Sequence, residues 1–212
     1  MSHTGTVAND TRLLNVHGEP AAPESVRMLA YLRERARALS PAEIAGRVRA
    51  AMGELDAALD GVDERASRER PIAGEWDIAQ VVDHMAQTQI RAADELRHVL
   101  AGRRPPAPPV YEALTSGAAM WAPWAELLDG LRSANEEMNA VLAAGIRDGA
   151  PASGATVRTI LLANTSESDG RVVQETFVAD LDWREYALVQ RLHLLDHRTQ
   201  VKKLRAALGV AR

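Results

Sequence analysis

Residues 182–208, DWREYALVQRLHLLDHRTQVKKLRAAL, carry a single stripe of side chains at helical spacing: Tyr186, Gln190, His193, His197, Val201, Leu204 and Leu208. Asp182 opens the segment as a cap, with Glu185 in the reciprocal position of a capping box. His193 and His197 stand at i and i+4, so their rings lie one above the other on one face. They occupy positions where a core-facing helix normally places Leu or Val. Buried imidazoles have polar nitrogens to satisfy, and an unpaired buried polar group is costly. Two readings follow: core histidines hydrogen-bonded to side chains or water, or a shared metal ion.

Upstream, Asp77 and Gln80 form a second cap pair. The helix they open carries Ile78, Val81, Val82, Met85, Ala92, Leu96, Val99 and Leu100 on its apolar face. His84 sits on the flank of that face, beside Val81 and Thr88, and looks inward from its edge. If the two helices are neighbours, His84 joins His193 and His197, in the way bundle cores build metal sites from facing helices. Ser40-Pro41-Ala42-Glu43 marks another start, with Ser40 as cap, Pro41 at the first helical position and Glu43 reaching back. Ile44, Val48, Met52, Leu55 and Leu59 follow at steps of three and four. A further helix runs from near Pro123 to about Arg147 on Leu127, Leu131, Met138 and Leu142.

The intervening stretches are of other kinds. Residues 60–74 read as a polar connection, and Arg103–Pro109 as a stiff proline loop. Thr156–Ala163 and Arg171–Val178 flank Ser-Glu-Ser-Asp-Gly and read as a short β-hairpin. Glu24–Leu39 reads as an extra N-terminal helix, and residues 1–22, without a period, as a loose, flexible arm. The fold expected is all-α: four principal helices in a bundle over residues 23–212, with the extra helix and a possible hairpin before the last helix.

Composition narrows the chemistry. The chain of 212 residues is 46% hydrophobic, enough for one full-sized core. It has no cysteine, which excludes disulfides, thiolate metal sites and a cysteine nucleophile, so any thiol must come from outside. No apolar run is long enough to span a bilayer, and the N-terminus lacks the pattern of a secretory signal. The expectation is a cytoplasmic protein with no membrane partner. The formal charge is -4, arginines are interleaved with Asp and Glu, and aromatics make up 4%, so no nucleic-acid partner is expected. There is no GxSxG, Gly-rich phosphate loop, HExxH or EF-hand pattern. Asp83 and Asp196 are expected to face solvent, and Trp76 to pack between helices in preference to lining a pocket mouth. Leu188, Leu192 and Leu195 form a second apolar face on the last helix, which points to a homodimer.

Residues 74–85, GEWDIAQVVDHM, resemble the second-helix signature of the DinB/YfiT-like superfamily. There a tryptophan just before the helix is followed eight residues later by a metal-binding histidine, the spacing of Trp76 and His84. Residues 193–201, HLLDHRTQV, resemble the final-helix pattern of the same family, a His-x3-His pair followed by a glutamine and an aliphatic residue. The resemblance covers residues 41 to 208. It implies an up-down-down-up four-helix bundle in which His84, His193 and His197 hold one divalent ion, and it implies that homodimers are common. Members of that family include transferases and isomerases using low-molecular-weight thiols, and metal-dependent hydrolases.

Three neutral imidazoles leave coordination positions open, the ligand set of a catalytic rather than a structural site. Imidazole suits zinc, nickel, iron and copper. The expected function is thus a metal-dependent enzyme that activates an external thiol or water on a small-molecule substrate. A thiol-dependent transferase is preferred, with a hydrolase or a non-enzymatic metal-binding module as alternatives. The N-terminal helix and the 156–178 segment exceed a minimal member, and either could cover the site or make a dimer contact.

Overall fold

The computed structural model describes residues 13–149, 154–166 and 171–210. Among these are six α-helices: α1 (Pro23–Ala38), α2 (Pro41–Leu59), α3 (Glu64–Arg68), α4 (Ile78–Leu100), α5 (Trp124–Arg147) and α6 (Trp183–Leu208). A two-stranded antiparallel sheet, β1 (Val157–Ser166) and β2 (Val172–Leu181), precedes α6. The chain is mainly helical, and each strand of the hairpin begins one residue later and ends three residues later than the β-favouring stretches 156–163 and 171–178 indicate. None of the described helices is long and apolar enough to cross a membrane.

Capping fixes where the long helices begin. Capping boxes close at Ser40/Glu43, Asp77/Gln80 and Asp182/Glu185. Each satisfies backbone donors that a helix start leaves unpaired. The stripes that follow are buried: Ile44, Val48 and Leu55 on α2, Ile78, Val81 and Leu96 on α4, Leu131, Met138 and Leu142 on α5, Leu194, Val201 and Leu204 on α6. In space α4 packs on α5 and α6, and α2 packs on α6 and α5. Specific contacts fix the directions. Glu54 meets Arg198 and the Ala58 carbonyl accepts from Arg205 at 2.6 Å, so α2 and α6 run the same way. Met52 meets Asn139 at 3.1 Å and Asp56 meets Arg132 at 2.9 Å, so α2 and α5 run in opposite senses.

The 60–74 connection contains a helix that its polar composition hides. Asp63 caps α3, and Glu64 accepts from the backbone N–H of Trp124 at 2.6 Å, taking the place of a side-chain cap at the start of α5. The Trp124 indole donates to the Val62 carbonyl at 2.7 Å. Residues 1–12 of the expected arm lie outside the described residues. Residues 13–22 are held, not loose. Val16 donates to the Thr176 carbonyl at 3.1 Å, and Glu175 accepts from the backbone N–H of Ala22 at 2.9 Å and from Ser25 at the start of α1. The hairpin therefore anchors α1. Its inner face pairs Val157 with Leu181 and Leu161 with Phe177, all buried.

Candidate metal centre

His84, His193 and His197 come together where α4 faces α6. The Nε2 atoms of His84 and His193 are 3.2 Å apart, and those of His193 and His197 are 2.9 Å apart. One ligand atom from each of the three lies within 4.8 Å of the others, and no carboxylate joins the group among the described residues. Burial lowers the affinity of all three rings for protons. His193 is lowered to about 3 by desolvation and then by His197 and His84, and His197 to about 4 by desolvation and then by His84. His84 is lowered by desolvation, against the raising effects of the Leu114 carbonyl and Asp83. The rings are therefore neutral at physiological pH, the form that ligates metal.

The hydrogen bonds behind the rings decide what the front can do. His84 Nδ1 donates to the Leu114 carbonyl at 2.8 Å, and His197 Nδ1 donates to Gln200 Oε1 at 2.8 Å. A neutral ring protonated at Nδ1 has only a lone pair at Nε2. Two lone pairs thus face His193 Nε2, which has at most one proton to offer. A cation at their focus satisfies all three. With metal–nitrogen bonds of about 2.0–2.1 Å, ligand nitrogens lie about 2.9 Å apart at right angles and about 3.3 Å apart at the tetrahedral angle. The observed 2.9 and 3.2 Å match those spacings. The donor set fits a divalent ion.

Several neighbours differ from expectation. Asp83, expected to face solvent, is 3% exposed. It accepts from the backbone N–H groups of Ser116 and Gly117, both at 3.1 Å, and from the Ser116 hydroxyl at 2.5 Å. Those bonds pin the loop whose Leu114 carbonyl orients His84. Their donors lie more than thirty residues away along the chain, so nothing local to Asp83 announces them. Gln200, by contrast, lies one turn beyond His197 on the same helix, within ordinary i,i+3 reach. Trp76 does more than separate helices. Its ring meets His84 edge-on at 5.1 Å and lies parallel to His197 at 6.3 Å. Asp196 stays exposed but borders the adjoining cavity, where burial raises its carboxyl.

That cavity, about 890 Å³, reaches the three imidazoles and Trp76. It is also lined by α1 through Met28, Tyr31 and Leu32, and by β1 through Arg158–Leu162. The N-terminal helix and the hairpin thus line the same cavity as the histidines. Leu188 is buried, and Leu192 of the same face is exposed and lines the cavity.

A mainly helical chain with three neutral imidazoles lining a cavity defines a class: helical proteins with a three-histidine site fit for a divalent ion. The sequence profile of the DinB superfamily matches residues 47–168, more than half of the chain. The chain belongs to the DinB superfamily. His84 falls within the matched segment, and His193 and His197 fall beyond it. No curated protein and no solved structure matches the chain.

Proposed function

We propose that this protein is a metal-dependent enzyme in which His84, His193 and His197 hold one divalent ion, zinc, nickel or iron. The reading rests on one observation: three Nε2 atoms, at least two of them bare lone pairs, converge beside a cavity large enough for a small molecule. A divalent ion bound there supplies Lewis-acid activation of a thiol or water at its open position. The chain's own part is to hold the three rings neutral, fix the orientation of His84 and His197 through Leu114 and Gln200, and restrict solvent access with α1 and the hairpin. With no cysteine in the chain, an external low-molecular-weight thiol is the preferred nucleophile, which makes a thiol-dependent transferase the first reading and a hydrolase using water the second. The long helices α2, α4, α5 and α6 are read as an up-down-down-up bundle, supported by the parallel α2–α6 and antiparallel α2–α5 contacts. A homodimer in the cytoplasm, where thiols stay reduced, completes the proposal.

The test is metal content by mass spectrometry after identical purification and reloading. Wild type should hold about one equivalent, and His193→Ala and His197→Ala close to none, because two imidazoles make a poor site. Helical circular dichroism should persist, since apolar residues elsewhere carry the core. Wild type without stoichiometric metal, or variants that retain it, refutes the site. Turnover that requires added thiol selects the transferase over the hydrolase.

A further inference from the structure

The polar stripe containing the histidines continues beyond them on both helices. On α4, His84, Thr88, Arg91 and Glu95 recur at steps of four, three and four, and on α6 so do Tyr186, Gln190, His193 and His197. The stripes face each other in opposite directions, because His84 meets His193 at one end and Glu95 accepts from the Tyr186 hydroxyl at the other. All eight residues line the same cavity.

The far end of this seam is satisfied internally. Arg91 donates to Glu95 at 2.5 Å and to the Pro108 carbonyl at 2.8 Å, and the Gln190 amide hydrogen-bonds Tyr186. The middle is not. Gln190, 6% exposed, keeps its Oε1 without a partner, and the buried Thr88 Oγ1 also has none. Buried polar atoms are rarely left unpaired, and each unpaired one costs free energy. Here both belong to a cavity wall, one helical turn from the metal ligands: Gln190 three residues before His193, Thr88 four after His84.

We infer that Gln190 and Thr88 are a specificity site for the substrate or cosubstrate of the metal centre, and that they read a hydroxyl or amide N–H about one helical turn from the atom bound at the ion. Gln190 Oε1 accepts only, so the ligand must donate to it. Thr88 Oγ1 can donate or accept, so a ligand hydroxyl satisfies both. A site built to pair with such a group disfavours an isostere that lacks it, because the wall's polar atoms are then left unpaired in the complex. The inference rests on the metal-centre reading above.

The probes are two thiols of equal length, 3-mercapto-1-propanol and 1-butanethiol, titrated calorimetrically into zinc-loaded protein with the zinc content measured in parallel. The hydroxyl-bearing thiol should bind wild type about tenfold or more tightly than its alkyl isostere. In Gln190→Met that preference should fall below about twofold, with zinc content unchanged. Thr88→Val is read in the same way and stands in if Gln190→Met fails to give a native helical spectrum. With stoichiometric zinc, equal affinities in wild type, a preference that survives substitution, or no binding of either thiol overturns the specificity site and leaves the metal reading intact. A wild type that holds none of zinc, nickel or iron after reloading overturns both.

Discussion

In metal-free protein, lowering the pH from 7.5 to 5.0 exposes what the three imidazoles cost the fold. In the unfolded chain a histidine titrates near the ordinary value of about 6.5. In the folded chain His193 is lowered to about 3 and His197 to about 4. Between about pH 6.5 and 4 the unfolded chain therefore binds protons that the native state refuses, so stability falls as pH falls. For each of the two histidines the cost grows toward about 1.4 kcal/mol per pH unit below 6.5, and at pH 5 the two together cost about 4 kcal/mol relative to neutral pH. That is a large share of the ~5–15 kcal/mol that holds a typical domain folded. Glu185 and Asp196, whose carboxyls are raised by burial, act in the opposite sense near the carboxylate range, so the window is best read above pH 5. The assay is urea unfolding of metal-free protein followed by circular dichroism at half-unit steps. The midpoint should drop steeply below pH 6.5 in wild type and far less in His193→Leu/His197→Leu. Equal pH slopes for the two proteins between pH 6.5 and 5 would refute the buried neutral triad.

Two further outcomes follow from the surroundings. Asp83→Ala removes the acceptor for three donors of the loop that orients His84. It should cost about 2–3 kcal/mol of stability by denaturant unfolding and weaken zinc binding about 10–100-fold, whereas Asp196→Ala, which has no such role, should leave zinc affinity within about twofold. Gln89, on α4 away from the cavity, is fully buried with neither amide atom partnered. Gln89→Leu should raise the calorimetric Tm by about 3 °C or more, since it removes an unpaired polar group worth about 1–3 kcal/mol in desolvation. A lowered Tm would mean that the amide is paired.

What could be read in advance was what is local. Ser40/Glu43, Asp77/Gln80 and Asp182/Glu185 each close within one turn, so three helix starts are written in four consecutive residues each. His193 and His197 share a face by spacing alone, and the Trp76–His84 interval pointed to the third imidazole of the cluster. The five-residue α3 is too short to show a period, yet through Glu64 it caps α5 sixty residues later. Residues 13–22 have no pattern of their own because their partners, Glu175 and Thr176, lie about 150 residues downstream. Asp83 reads as a surface acid until the Ser116–Gly117 backbone folds onto it.

The polar stripe shows how local periodicity and long-range packing combine. Thr88, Arg91 and Glu95 on α4, with Tyr186 and Gln190 on α6, continue the phase of the histidines, so helical spacing alone places them on the inward seam. In a tightly packed bundle that seam would be penalised, since each buried polar atom needs a partner and Leu in its place would not. The α1 helix and the hairpin change the balance. They wall a cavity of about 890 Å³ over the seam in place of close-packed side chains. Arg91, Glu95 and Tyr186 can then pair with one another, while Gln190 Oε1 and Thr88 Oγ1 stay without a partner. The α1 helix and the hairpin are thus the segments that make a polar core face tolerable. A consequence is that Glu175, which ties α1 to the hairpin by accepting from Ala22 and Ser25, acts on the cavity without touching it.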